Sequence, residues 1–222
     1  DAMPVHSIAW RDQAIFERGV IWENEQFDWQ DRPIRNAKLT AMATELSSLI
    51  NPFNEKSLRY LSEINLNAHF FMRSLAEILQ QGVILLIDYG FGRAEYYHPQ
   101  RNQGTLMCHY RHHAHEDPFY LPGLQDVTSH VDFSAITEAV EDTDLQLCGY
   151  TTQAHFLINC GITDILAQVS AENIHRYLPQ ANQLQRLISP AEMGELFKVI
   201  ALVKDVPEPL MGFHGGDMSR ML

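Results

Sequence analysis

One run of residues constrains this chain more than any other: Val83-Ile84-Leu85-Leu86-Ile87-Asp88-Tyr89-Gly90. Five aliphatic side chains in a row suit a strand buried on both faces, the usual state of a central parallel strand. The residues ahead of it extend the reading. Ser57 to Gln81 sets Leu58, Leu61, Ile64, Ala68, Phe71, Leu75, Ile78 and Leu79 along one helical stripe, and Gly82 stands where a helix-ending glycine belongs. A long helix, a glycine and an apolar strand predict a βαβ unit, hence an α/β fold. The run is far too short to cross a bilayer, which takes roughly 20 residues.

The flanking segments fit the same class. Val5 to Trp10 and Ile15 to Trp22 read as a hairpin or two adjacent strands, and Gln26 to Arg35, polar and ending near Pro33, as loop. Helical spacing predicts a helix over Asn36 to Ile50, stopped by Asn51-Pro52. Phe91 to Val131 is rich in His, Tyr and Pro with little periodicity, the character of a long functional loop. A short helix over Phe133 to Val140 is capped by Asp132 or Ser134. Then follow a strand (Asp144 to Tyr150), helices over Thr151 to Asn159, Ile162 to Val169 and Ala171 to Leu187, and a strand over Phe197 to Val203. The tail beyond Pro207 reads as mobile.

Charge narrows the partners. Sixteen Lys and Arg against 28 Asp and Glu give 222 residues a net charge of −12. Such a chain repels a phosphate backbone, so nucleic acid is not expected as a partner, while a cationic peptide or a small molecule remains open. The three cysteines, Cys108, Cys148 and Cys160, form no C-x-x-C pair and fit a reducing compartment. The opening Asp1-Ala2-Met3-Pro4 runs straight into core-like sequence and reads as the start of a fragment.

Four features carry candidate chemistry. Asp88 ends the apolar strand, where ligands of open α/β sheets bind; a local bracing role stands equally open. Gly90-Phe91-Gly92 is not a dinucleotide fingerprint, because Glu95 occupies the third glycine position and would oppose a pyrophosphate. His109, His112, His113 and His115 cluster, but without an H-E-x-x-H helix they read better as solvated or substrate-contacting groups than as metal ligands. The block from Gly123 to Phe133 is either a turn with an N-cap or a pocket wall, and Glu63 with Asn65 interrupts the long stripe as a solvated face.

Several segments, in this order, resemble the MidA-type methyltransferases, a bacterial and mitochondrial family. They are Asp1 to Val5, Ser62-Glu63-Ile64-Asn65, Leu86 to Gly90, Gly104 to His113, Pro122 to Phe133, Thr152 to Leu157, Gly161-Ile162 and Met193 to Val199. The resemblance covers nearly the whole chain, and the Pro122 to Phe133 block and Asp88-Tyr89-Gly90 are its most specific parts. It implies the C-terminal part of a class I, Rossmann-like methyltransferase sheet with helices on both faces. Residues 1–222 would be one portion of one methyltransferase domain, with a substrate-covering lid inserted at 91–132. The main loop for the cofactor, S-adenosylmethionine, would lie upstream of Asp1, so this fragment alone is expected to be inactive.

The resemblance also implies roles. Glu63, Asp88, Tyr89, His130 and Asp132 become catalytic candidates, and Asp1 and Pro4 border the cofactor. Gly90, Tyr110, His113, Gln125, Asp126 and Thr128 become candidates for substrate contact, and no metal is expected. The implied reaction is methylation of a protein arginine side chain, so the partner is a protein substrate; a homodimer is left open. The implied location is bacterial cytoplasm, or the mitochondrial matrix for a eukaryotic chain. Two other readings compete: an assembly or docking protein that keeps the fold without catalysis, and a metal-dependent hydrolase built on the histidines.

Overall fold

The computed structural model describes residues 1–51 and 57–222, so Pro52 of the predicted helix stop lies outside the described residues. The chain divides into two compact units, residues 1–71 with 93–130 and residues 72–92 with 131–222. Together they form an α/β structure with mixed sheets.

The first unit is built on an antiparallel sheet. Strands β1 (His6–Arg11), β2 (Ala14–Glu23) and β3 (Gln26–Pro33) run as a meander. Helix α1 (Ala37–Ile50) follows, with Asn36 capping the Leu39 amide, and β4 (Arg59–Ile64) then pairs with β1. The sheet order is β3-β2-β1-β4. Alternation sorts the faces: Ile8, Trp10, Tyr60 and Ile64 are buried, and the Trp10 indole donates to the Ala43 carbonyl of α1 at 3.1 Å. The opposite face carries Ser7, Arg18 and Asp31 in register with Glu63, then Val20 beside Trp29 and Trp22 beside Phe27.

Two expectations are corrected here. Gln26 to Arg35 is strand rather than loop for all but its last two residues. Its turn, Asn24-Glu25, takes positive φ at both positions (53° and 61°), the geometry of a tight hairpin normally signalled by glycine. Ser57 to Gln81 is not one helix. It is β4 followed by α2 (Leu66–Ile78), with Asn65 accepting from the Ala68 amide at 2.8 Å to start the helix. Glu63 and Asn65 interrupt the helical stripe because the backbone changes period there, and Glu63 is buried rather than solvated.

The rest of the first unit is also more ordered than a loop. It contains α3 (Arg93–Tyr96) and a small antiparallel sheet of β6 (Met107–Tyr110), β7 (His113–His115) and β8 (Asp126–Thr128), ordered β7-β6-β8. Another glycine-free turn, Arg111-His112 with φ of 49° and 66°, joins β6 to β7.

The second unit centres on β5 (Gly82–Phe91), β9 (Val131–Asp132), β10 (Gln146–Thr152) and β11 (Phe197–Lys204), in the order β10-β11-β5-β9. The apolar run is a strand as expected, but its long neighbour β11 is antiparallel, and only β9 runs parallel to it, at Gly90 and Phe91. The strand buried on both faces is β11, with Val199 to Leu202 fully buried; Val83, Leu85 and Ile87 of β5 are exposed. Helices α4 (Phe133–Glu138), α5 (Gln153–Asn159), α6 (Ile162–Ala167) and α7 (Ile174–Ile188) follow the predicted order. The tail is packed, not mobile. Phe213 joins the core with Val199 and Ala201, the Met218 amide donates to the Tyr150 carbonyl, and Asp217 accepts from the Tyr150 amide at 3.1 Å.

Candidate functional site

The predicted site residues fall in both units and are described unit by unit. In the first, Glu63 projects from β4 with 2% of its surface exposed. Its Oε2 accepts from the Thr105 amide at 2.8 Å and from the Thr105 hydroxyl at 2.9 Å, while its backbone carbonyl accepts from the Tyr97 hydroxyl at 3.0 Å. Gly104 makes the approach feasible: it sits at φ +77°, and a Cβ there would lie 2.3 Å from Glu63 Oε1. Burial pushes the Glu63 carboxyl upward, against the lowering effect of hydrogen bonds from Thr105 and the Leu106 amide.

Thr105 links this carboxylate to the specific block. Its hydroxyl oxygen accepts from the His130 amide at 3.0 Å, and the next residue back, Ser129, donates its amide to the Asp1 carbonyl at 3.1 Å. Pro4 is held through its carbonyl, which accepts from Asn67 at 3.1 Å. Glu63, His130 and Asp1 are therefore brought to one hydrogen-bonded chain by a residue that residue-by-residue reasoning did not select. The adjacent Gly104-Thr105 pair was visible in the sequence, but nothing in its type announced a hub.

The substrate-contact candidates sit on the small sheet. Thr128 is buried with its hydroxyl donating to the Met107 carbonyl, and Asp126 is exposed opposite His109. Tyr110 and His113 are register partners, and Tyr110 meets Tyr120 edge-on at 5.9 Å. The Gln125 amide nitrogen donates to the carbonyls of Pro118 (2.9 Å) and Asp117 (3.3 Å), fixing the loop it closes. Strand alternation puts His113 and His115 opposite Tyr110 and Cys108, and His109 on the other face. Among the described residues no group of three or more His, Cys, Asp or Glu is placed to hold a metal.

In the second unit, Asp88 lies half-buried within β5, which does not end there as expected but runs on to Phe91; it stands opposite Lys198 of β11, and its Oδ1 accepts from the Tyr89 amide at 2.8 Å. Lys198 was not foreseen. It is buried, with its ammonium donating to the Glu195 carbonyl and standing 5.3 Å over the Phe91 ring. Tyr89 packs edge-on against Phe197 at 5.6 Å. Gly90 is required by packing, since a Cβ there would come within 2.1 Å of the Val131 carbonyl oxygen. Asp132 caps α4 by accepting from the Ala135 amide at 3.2 Å.

Residues 1–151 match the family of S-adenosyl-L-methionine-dependent methyltransferases, and the chain belongs to that family. It is similar to a COG1565 superfamily protein of Burkholderia thailandensis solved bound to S-adenosylhomocysteine (47% identity, TM-score 0.92) and to the native structure of a COG1565 protein from the same organism (46%, 0.91). Both comparisons cover all of this chain, and 56% and 57% of the other. Among curated relatives, the mitochondrial protein arginine methyltransferase NDUFAF7 of Mus musculus is 32% identical over 144 residues, which is 63% of this chain and 29% of that protein. The Danio rerio protein of the same name is 29% identical over 159 residues, 67% and 34% respectively. The chain thus spans about a third of these curated relatives and somewhat over half of the solved ones. Among the described residues no helix is long and apolar enough to cross a membrane.

Proposed function

We propose that this chain is the C-terminal portion of an S-adenosylmethionine-dependent methyltransferase with a Rossmann-like core, acting on an arginine side chain of a protein. The observation that carries the reading is the family match over residues 1–151, which includes both the Glu63–Thr105–His130 chain and the end of β5. Support for the cofactor comes from the S-adenosylhomocysteine-bound relative, and for the acceptor from relatives named as arginine methyltransferases.

The side chains present fit such a cofactor in part. Gly90 and Gly92 do not open a nucleotide cradle, because each is filled by the chain's own backbone, at Val131 and Met221. The half-buried Asp88, with Tyr89 beside it, suits a cationic ligand that has no phosphate. In this reading Asp88 and Tyr89 meet the substrate cation, and Asp1 and Pro4 are the residues assigned to the cofactor. The donor, when bound, supplies a methyl on a positively charged sulfur, which a nucleophile displaces in line.

A guanidinium carries its charge at neutral pH, so its attacking nitrogen must lose a proton. Asp88 and Asp132 are the carboxylates assigned to orient it and take that proton, and His130 is the third residue assigned to the chemistry. Glu63, whose oxygens are turned to Thr105, acts as a positioning residue for the loop carrying His130. The remaining candidates, Gly90, Tyr110, His113, Gln125, Asp126 and Thr128, shape the acceptor's surroundings.

Calorimetric titration of S-adenosylhomocysteine into the full-length protein, followed by labelled methyl transfer to an arginine peptide, tests both halves. Binding and transfer are expected. A folded full-length protein that binds no S-adenosylhomocysteine would refute the enzyme reading and favour the docking-protein alternative.

A further inference from the structure

The most unusual surface in the first unit is aromatic. At the tip of the β2–β3 hairpin, Trp22 is 63% exposed and Phe27 42%, with their rings 4.9 Å apart. The array continues: Phe27 stacks on Phe119 at 6.1 Å, and Phe119 meets Trp29 at 5.0 Å. Large rings left in water cost free energy, and a cluster of them marks a contact surface more often than a random spread does.

The platform is held rigid from beneath. Asp117 accepts from the Phe119 amide at 2.9 Å, Gln125 bonds the Pro118 carbonyl, and the Leu124 amide returns to Leu121 at 3.0 Å. A preordered aromatic surface loses little entropy when something docks on it.

Charge selects what docks. The exposed carboxylates Glu23, Glu25, Asp28, Glu116, Asp117 and Asp126 belong to the two segments that build the platform, and neither 19–31 nor 114–128 contains a Lys or Arg. The nearest arginines along β1 and β2, Arg11 and Arg18, are both bound to Asp31. Segments that carry both exposed rings and exposed carboxylates offer a guanidinium two complementary interactions, stacking on a ring face and pairing with an acid.

We propose that the β2–β3 tip and the 117–125 loop form a docking platform for a basic, arginine-containing polypeptide segment. This deepens, and rests on, the arginine-methyltransferase reading: the platform would recognise basic sequence in the substrate and so contribute to substrate selection rather than to the chemistry.

The test uses the full-length protein and a fluorescein-labelled twelve-residue Arg-Gly repeat, with its Glu-Gly counterpart as comparison, followed by anisotropy. Expected results are binding of the basic peptide only, weakened at least about tenfold by W22A/F27A, as loss of two aromatic anchors should do. The milder E23Q/E25Q variant, at an exposed turn, should weaken binding and flatten its salt dependence. Equal binding by W22A/F27A or by E23Q/E25Q, or no binding of the basic peptide, would overturn the proposal. So would dissociation of an oligomer by W22A/F27A in sedimentation, which would assign the platform to a second copy. Shielding of Trp22 from an aqueous quencher in the full-length protein would overturn it too. S-adenosylhomocysteine titration of the same variants separates the two ideas: retained cofactor binding with no peptide binding sinks only the platform, whereas lost cofactor binding in the unmodified protein sinks the enzyme reading.

Discussion

Glu63 and Asp88 are both carboxylates in strands, both in segments resembling one family, and the structure treats them oppositely. Glu63 is sealed at 2% exposure, its oxygens committed to Thr105 in a neighbouring loop. Asp88 is half-buried within β5, and one of its interactions is a local hydrogen bond from the Tyr89 amide. Sealing an acid behind long-range hydrogen bonds makes it a fastener; a half-buried one keeps part of its surface in contact with solvent. The comparison predicts that substitutions at Glu63 are felt first in stability and those at Asp88 first in ligand handling.

The largest effect should come from removing the fastener. Glu63→Ala leaves the Thr105 amide, the Thr105 hydroxyl and the Leu106 amide without their acceptor in a buried place. At roughly 1–3 kcal/mol for each buried group left unsatisfied, partly offset by entering water, the loss should reach about 3 kcal/mol in urea unfolding of the full-length protein. A loss under about 1 kcal/mol would break the contrast with Asp88. Glu63→Gln keeps an acceptor and should cost less. It also isolates a pH effect. Burial raises the folded-state carboxyl above its ordinary 4.5, so the native state holds the proton more tightly than the unfolded chain. That contribution is present in full below 4.5 and is lost as pH rises through the raised value. The stability of the unmodified protein, relative to Glu63→Gln, should therefore fall across that window; a rise would reverse the assignment.

Next is Gly104→Ala. The new Cβ would meet Glu63 Oε1 at 2.3 Å, and alanine would be held at φ +77°. Backbone strain of about 1–3 kcal/mol is expected, read in the same unfolding experiment. Because the Cβ clash, unlike the φ strain, acts through Glu63, the double variant Gly104→Ala with Glu63→Ala should cost less than the sum of the two singles.

How much of this contrast was legible in the sequence differs between the two acids. For Asp88 the strand was legible, because five aliphatic residues announce it, but not its end: β5 runs past the acid to Phe91, where Gly90 and Phe91 pair with β9. Glu63 was not legible, because its partners lie some forty residues downstream and the local stripe of Leu58, Leu61 and Ile64 mimics helical spacing. A strand feeding a helix can keep apolar residues three apart without ever being helical there. The strand over 26–33 was hidden for a different reason: Asn24-Glu25 makes a tight turn without the glycine that usually marks one. Between Met107 and Thr128, pairing of β6 with β7 and β8 depends on non-local register that no periodicity in so short a strand reveals. The cap at Asp132 was legible, since a carboxylate three residues before its amide partner is a local signal.

Asp88→Ala sharpens the comparison from the other side. Its effect on unfolding should be smaller than that of Glu63→Ala, since Asp88 is half-buried where Glu63 is sealed. Methyl transfer by the full-length protein should fall at least about tenfold, equivalent to about 1.4 kcal/mol. Equal losses in stability and turnover would remove Asp88 from the catalytic set and leave it as a brace.

The smallest expected effect belongs to a third acid, Asp31, which tests whether burial alone explains Glu63. Asp31 has a side chain only 6% exposed, yet its carboxyl is shifted downward, first by the hydrogen bond from Arg18, with Arg11 adding its charge. Arg18 approaches with two nitrogens, at 2.8 and 3.2 Å, so ionisation is rewarded where at Glu63 it is penalised. The sign of the pH dependence is therefore opposite. Stability from Asp31 is present above the ordinary 3.8 and lost as pH falls through the lowered value. Arg18→Ala should cost about 1 kcal/mol near neutral pH, softened because Arg11 remains. It should cost progressively less in acid, so the stability curves of variant and parent converge as pH drops. Curves that run parallel through this range would mean that the arginine contributes packing rather than charge, and that two buried acids of one sheet face differ for some reason other than their cationic neighbours.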